Sequence, residues 1–228
     1  MCAIMPYFLG EFMERDKVKT LYGKKARFYQ WFLIDILGWG KQLEAFFRNS
    51  NYLSPKLKIL DAGCGTGIVT KILYSIAEQQ GFRDIQFYAF DLTPAMLDVF
   101  SEWIAKQGIK NIELTQANVL LLEDQLLSHW REYDLIVSAT MLEYIQKPKV
   151  TKAVSNLKNL LKSKGVLLLF VTRRNFRTRW LGQAWWKANV YEEREIEQIL
   201  HQAGFSTVRF KTFTPSWQNS IMVVEARK

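Results

Sequence analysis

The chain has 228 residues, 49% of them hydrophobic, which suffices for one sizeable core and falls short of two average domains. Two cysteines exclude a disulfide scaffold and fit a reducing cytoplasm, and the lack of any charge-free run of about 18 apolar residues excludes a membrane-spanning helix. The net charge of +9 narrows the partners to an anionic substrate, nucleic acid or a membrane surface without choosing among them.

Met1 to Gly10 are apolar but bring no basic flank and no small-residue cleavage site, so no leader peptide is expected and the chain reads as a soluble cytoplasmic protein. Residues 11 to 50 carry helical periodicity. Among them, Val18 to Trp31 gathers Tyr22, Arg27, Phe28, Tyr29 and Trp31. Phe28 and Trp31 read as the core face of an amphipathic helix, and the periodicity alone leaves Tyr22 and Tyr29 open. A second helix is expected over 35–49, built on Ile36, Leu37, Leu43, Phe46 and Phe47, with Gly38 and Gly40 dividing it. Ser54-Pro55 then breaks the pattern, so residues 1–56 are expected to form an N-terminal helical cap and 57–228 the main domain, in one structural unit.

The most informative stretch follows. Leu57, Ile59 and Leu60 form an apolar run that ends in Asp61 and meets Gly63, Gly65 and Gly67 at alternate positions. A helix comes next, with Ile68, Ile72 and Ile76 on one face and Val69, Leu73 and Ala77 beside them. Strand, glycine turn and helix is the reading. Glycine has no Cβ and tolerates positive φ, so such a turn lets a nucleotide-like ligand lie against the main chain. The spacing differs from the Gly-x-Gly-x-x-Gly that seats a pyrophosphate on a helix N-terminus. Cys64, inside the turn, reads as a small filler. A second strand over 85–90 ends at Asp91, and a carboxylate about 20 residues past the glycines stands where it can accept both hydroxyls of a ribose.

Thr93 as N-cap and Pro94 at the first helical position start the next helix, Gly108 stops it, and Met96, Phe100, Trp103 and Ile104 are its core stripe. Strand three, 111–117, leads to Asn118. Strand four, Tyr133 to Ala139, and strand five, Val166 to Val171, are nearly continuous apolar runs of the kind buried on both faces, and strand five is read as central. Helix 149–161 joins them. Helix 192–203 leads to strands over 205–213 and 217–225, and the Thr214-Pro215-Ser216 turn between these predicts a hairpin with the last strand antiparallel. Alternation of strand and helix gives an α/β fold with a mostly parallel sheet and right-handed crossovers. His129 and His201 read as surface or capping residues.

Asp61 with Gly63-x-Gly65-x-Gly67, followed by Asp91-Leu92-Thr93-Pro94, resembles the first motif and the segment after the second strand of the class I S-adenosylmethionine-dependent methyltransferases. The likeness covers about residues 18 to 228 and implies a Rossmann-like seven-stranded sheet with an antiparallel last strand and helices on both faces. It also implies S-adenosyl-L-methionine as cofactor, S-adenosyl-L-homocysteine as product, and no metal. On this resemblance Asp61, Gly63, Cys64, Gly65 and Gly67 face the methionine part, Asp91 the ribose and Leu92 the adenine. Asn118, where the family usually has an acid, takes the adenine amino group, the Val119 amide takes a ring nitrogen, and Ser138 completes the cofactor-facing set.

Thr140 to Ile145 resembles the family's fourth motif, with Tyr144 where relatives often carry His. Ser138-Ala139-Thr140-Met141 lacks the Asn-Pro-Pro-Tyr type of turn that holds a planar amine, which argues against adenine or glutamine as acceptor. A sulfonium donor needs no obligatory base; by position, Tyr144, Glu143, Tyr22 and Tyr29 are the candidates if one exists. The N-terminal segment resembles the capping helix of small-molecule methyltransferases of quinone-biosynthesis and phospholipid type, so the acceptor is expected to be small and lipophilic or aromatic. Residues 173–190 carry four Arg within seven positions and three Trp. They are read first as a lid over the substrate, second as a peripheral membrane contact and third as a charged loop. Nucleic acid finds no further support in the sequence. Competing readings are RNA or protein methylation, a cofactor-binding partner subunit without transfer activity, and a NAD-dependent oxidoreductase that the glycine spacing disfavours.

Overall fold

Strands form where apolar, β-branched and aromatic residues run together between turn signals, and helices where the apolar period lengthens to 3.6. The strands are β1 (Lys58–Ala62), β2 (Gln86–Asp91), β3 (Ile112–Gln116), β4 (Tyr133–Ala139), β5 (Leu161–Thr172), β6 (Thr207–Lys211) and β7 (Ile221–Arg227). The helices are α1 (Trp39–Arg48), α2 (Ile68–Gln79), α3 (Pro94–Gln107), α4 (Leu122–Gln125), α5 (Val150–Leu160) and α6 (Glu193–Gln202). This computed structural model describes residues 38–175, 188–215 and 217–228. The expected helix bearing Tyr22 and Tyr29, and positions 176–187 of the Arg- and Trp-rich segment, lie outside the described residues.

The strands form one sheet in the order β3-β2-β1-β4-β5-β7-β6. β7 runs antiparallel to both β5 and β6, and the pairings among β1 to β5 are parallel. The predicted seven-stranded, mostly parallel sheet with an antiparallel last strand is therefore present. Two details differ. β4, not β5, is the middle strand; β5 reads as a continuous apolar run because both its faces are covered. Leu167 and Leu169 pack in the core formed with α5 and α6, whereas Leu168 and Phe170 pack in the core formed with α1 and α2. The link between β6 and β7 is also longer than a tight turn, since Trp217 leaves the strand and lies 5.3 Å, centroid to centroid, from Trp39.

Gly38, at φ 67°, is the N-cap of α1, while Gly40 lies inside that helix and divides nothing. Trp39, Leu43 and Phe47 of α1 are buried in the same core as Ile59, Phe170 and Val223, so α1 packs directly on the sheet. Because α1 leads back to the start of β1, its first residue stands at the carboxyl edge of the sheet, where the Trp39 ring meets those of Phe170 at 6.2 Å and Phe213 at 5.8 Å. This is the edge where ligands of open α/β sheets bind. No helix among the described residues is long and apolar enough to cross a membrane.

Phe170 is fully buried and touches the rings of Trp39, Phe46, Phe47 and Phe213. Replacing it with Ala should cost about 3–5 kcal/mol in urea denaturation followed by circular dichroism. A loss below about 1 kcal/mol would mean that α1 is not held by this aromatic cluster.

Candidate functional site

Strand order reverses between β1 and β4, which opens a crevice beyond their carboxyl ends. The glycine turn follows β1 at this place. Its amides are already engaged: those of Gly63 and Cys64 both donate to the Phe90 carbonyl at 2.9 Å, that of Gly65 to Asp91 Oδ2 at 2.8 Å, and that of Gly67 to the Cys64 carbonyl at 2.9 Å. A pyrophosphate needs such donors free, so these four do not form a phosphate cradle.

All three glycines have positive φ, yet they serve different ends. A Cβ on Gly63 would meet the Met141 side chain at 2.6 Å, and one on Gly67 would meet the Phe100 ring at 2.5 Å. These two glycines are bare so that the chain after β4 and helix α3 can close on the turn. A Cβ on Gly65 would meet nothing within 4 Å. Gly65 is therefore the face left open to a ligand.

Two carboxylates hold the turn. Asp61 is buried; its Oδ2 accepts from the Thr70 amide at 3.1 Å and the Thr70 hydroxyl at 2.7 Å, which ties β1 to the first turn of α2. Burial pushes its carboxyl up to about 7, against the Thr70 hydrogen bonds. Asp91 is half-buried at the tip of β2, with Oδ2 on the Gly65 amide and Oδ1 on the Thr93 amide, each at 2.8 Å. Burial raises its pKa as well, while the Thr93 and Gly65 amides pull it down. Thr93 is the N-cap of α3 and Pro94 its first residue, as expected, but no Thr93 side-chain hydrogen bond caps the helix.

The remaining cofactor-facing expectations divide. Leu92 is half-buried beside Asp91, and Gln116 donates to its carbonyl. Asn118 Oδ1 accepts from the Leu120 amide at 3.0 Å, which fixes Nδ2 as the other branch of the side chain. Val119 is buried, and its carbonyl accepts from Asn156. Cys64 is buried against Ala89 and Phe100, in keeping with a filler, and burial pushes its thiol well up. Ser138 is buried and its hydroxyl donates to the Ala62 carbonyl at 3.0 Å, which ties β4 to β1.

Facing the turn is the segment after β4. Thr140 has φ 55°, a left-handed conformation that a β-branched residue adopts only under constraint, and its amide donates to the Phe170 carbonyl. It delivers Met141 onto Gly63. Glu143 follows, buried, with Oε1 accepting from the Thr172 amide at 2.7 Å and the Thr172 hydroxyl at 2.8 Å; Oε2 has no hydrogen-bond partner among the described residues. Burial pushes this carboxyl up to about 7. Tyr144 is half-buried in the same turn. Tyr22 and Tyr29 lie outside the described residues. Thr70 escaped the sequence reading, and so did the roles of Thr140 and Met141 within the fourth-motif segment, because nothing in their spacing marks a carboxylate's partner or a positive φ.

Two of the four clustered arginines are ion-paired to α6 and the residue before it: Arg173 with Glu193 at 2.8 Å, and Arg174 with Glu192 at 3.1 Å and Glu195 at 3.0 Å. His129 pairs with Glu113 near the amino edge, and His201 meets the Phe205 carbonyl at the end of α6, both away from the crevice.

Residues 36–209 match the family described as "Methyltransferase domain". The chain belongs to this methyltransferase family. A malonyl-[acyl-carrier protein] O-methyltransferase of Paenibacillus sp. (strain JDR-2) is 29% identical to it over 174 residues, 71% of this chain and 59% of that protein. A ubiquinone biosynthesis O-methyltransferase of Histophilus somni (strain 2336) is 29% identical over 137 residues, 60% of this chain and 53% of that one. The methyltransferase chain thus spans less than two thirds of the length of either relative. The structure of magnesium protoporphyrin IX methyltransferase from Synechocystis PCC 6803 with bound SAH shares the fold at a TM-score of 0.68 and 17% identity, covering 93% of this chain and 99% of that one.

Substitution separates the glycines of the methyltransferase turn. Gly67→Ala should cost about 2–5 kcal/mol in thermal or urea denaturation, from the clash with Phe100 added to the left-handed backbone, whereas Gly65→Ala should cost only about 1–2 kcal/mol. Equal losses at the two positions would contradict the assignment of Gly65 as the open face. The buried acids make a second prediction. Glu143 and Asp61 keep protons in the folded state, with pKa values of about 7, that the unfolded chain releases near its ordinary values of 4.5 and 3.8. Their contribution to stability therefore falls as pH rises from about 4 to about 7. Glu143→Gln should flatten part of that fall in urea melts taken across this range, and an unchanged slope would show that Glu143 titrates normally.

Proposed function

We propose that this chain transfers the methyl group of S-adenosylmethionine to a small-molecule acceptor bound at the carboxyl edge of the sheet. The observation that carries the reading is a glycine turn whose amides at positions 63, 64, 65 and 67 are spent, with one open Cα face and two flanking carboxylates. Such a crevice suits a nucleoside that carries cationic groups and no phosphate, and it disfavours NAD. Asp91 would hold the ribose hydroxyls through the lone pairs left by Gly65 and Thr93, with Leu92 against the adenine. Asn118 would offer Nδ2 to a ring nitrogen and its remaining carbonyl lone pair to the adenine amino group, reading the base by two contacts where an acid supplies one kind.

When bound, the cofactor supplies an electrophilic methyl group and a neutral leaving group. The chain's own work is to align the acceptor, exclude water and, where needed, accept a proton. Met141, fixed by the constrained Thr140, walls the turn on the acceptor side. Glu143, with one oxygen unengaged, is the described candidate best suited to receive a proton, and Tyr144 stands next to it. The likeness of the N-terminal segment to the capping helix of small-molecule methyltransferases makes Tyr22 and Tyr29 further candidate acceptor-side groups. The curated relatives named above are O-methyltransferases, which favours a hydroxyl or carboxyl acceptor.

Incubating the protein and labelled S-adenosylmethionine with a small-molecule extract, followed by mass spectrometry, should yield a labelled small molecule. Label confined to RNA or protein would overturn the acceptor class. Asp91→Ala should weaken S-adenosylhomocysteine binding by about 2–3 kcal/mol, roughly 30-fold to 150-fold, in calorimetry; unchanged affinity would remove the ribose assignment.

A further inference from the structure

Two kinds of oxygen acceptor, a hydroxyl and a carboxylate, make opposite demands on a methyl-transfer site. A hydroxyl needs a protein oxygen that takes its hydrogen bond and then its proton, whereas a carboxylate is already an anion and needs cations or N–H donors to hold it. The groups at the carboxyl edge of this sheet meet the first demand and not the second.

Glu143 is the acid of the turn that follows β4. Thr172, the last residue of β5, directs both of its donors to one branch of that side chain, the amide at 2.7 Å and the hydroxyl at 2.8 Å from Oε1. Oε2 is left buried with no hydrogen-bond partner among the described residues, which is unfavourable unless a donor is enclosed with it. The turn is clamped in this position. The Asn189 amide donates to the Glu143 carbonyl at 2.8 Å, Asn189 Nδ2 to the Ile145 carbonyl at 2.7 Å and the Tyr191 hydroxyl to the Leu142 carbonyl at 3.1 Å. An acceptor atom is thus held in place and lacks one donor.

Counter-charge for a carboxylate is missing from the same turn. Burial, Thr172 and its own amide set the protonation of Glu143, and no cation is among the causes. Arg173 and Arg174, just past Thr172, are paired with Glu193, Glu192 and Glu195, and the other titratable side chains of the turn and of the segment packed on it are Tyr144 and Tyr191. Across the crevice stand the acid Asp91 and the engaged amides of Gly63, Cys64, Gly65 and Gly67. The strength of the acid narrows the hydroxyl. With its carboxyl raised to about 7, Glu143 lies about three units below a phenol and much further below an aliphatic alcohol.

We infer that Glu143 Oε2 selects a neutral, acidic O–H, a phenol or an enol, as the methyl acceptor in preference to a carboxylate, with Thr172 as the positioning residue that leaves Oε2 open to it. The acceptor oxygen forms the new O–C bond as the methyl–sulfur bond breaks, its proton passes to Oε2, and the electron pair of the broken bond stays on sulfur in the neutral thioether. The inference rests on the methyl-transfer reading.

Calorimetry on the full chain with para-hexylphenol and para-hexylbenzoate, after titration with S-adenosylhomocysteine, tests it at about pH 8, where Glu143 is ionised and a phenol is not. The phenol should bind at least about tenfold more tightly than the benzoate. Glu143→Gln keeps an acceptor for the two Thr172 donors and puts an N–H in the place of Oε2, so it should weaken the phenol and strengthen the benzoate, an inversion that loss of packing would not produce. Thr172→Val should reduce the preference and Thr172→Ser should retain it. Benzoate that binds as tightly as the phenol, no binding of either, or a preference unchanged in Glu143→Gln overturns the inference. A phenol preference in a chain with no affinity for S-adenosylhomocysteine leaves the selection standing and overturns the methyl-transfer reading instead.

Discussion

The Asp91 carboxylate, with one oxygen on the Gly65 amide and the other on the Thr93 amide, is the contact on which the site depends. It joins the turn after β1 to the start of α3 through two charge-assisted hydrogen bonds, and so fixes the separation of two elements that are far apart in sequence. The same bonds take the Gly65 amide away from any incoming anion. What the turn leaves open is the bare Cα of Gly65 and the remaining lone pairs of a carboxylate. The turn becomes an acceptor surface, although its sequence looks at first like that of a phosphate loop.

Packing enforces this arrangement from both sides. Phe100 of α3 closes on Gly67, Met141 closes on Gly63, and Asp61 draws Thr70 down onto β1. Thr140 pays the conformational cost of delivering Met141, and it can be held there because its amide is anchored to β5 at Phe170. That strand is in turn clamped by the rings of α1 and of the link between β6 and β7. The left-handed threonine beside the crevice thus rests on the most heavily packed part of the core, where strain is most readily sustained.

Much of this was legible in the sequence because it rests on local rules. Alternate glycines after an apolar run, a carboxylate at the next strand's end, Thr93-Pro94 and Gly108 each carry their meaning within a few residues. Longer-range facts were not. That the Ser138 hydroxyl bonds to Ala62, that β4 rather than β5 is central, and that Trp217 abandons its strand for Trp39 all depend on which strands become neighbours. The fate of the amides in the turn was equally hidden: Gly-x-Gly-x-Gly reports where a ligand can approach, and only the position of Phe90 and Asp91 decides whether donors remain for it. Two arginines of the basic cluster likewise look free in sequence and are paired once α6 is in place.

The central claim is that the crevice accepts a phosphate-free adenosyl ligand. Competition calorimetry addresses it directly, with S-adenosylhomocysteine titrated into the protein alone and into the protein equilibrated with excess NAD. The account predicts the same affinity in both titrations. Displacement of S-adenosylhomocysteine by NAD, or binding of NAD alone, would contradict it.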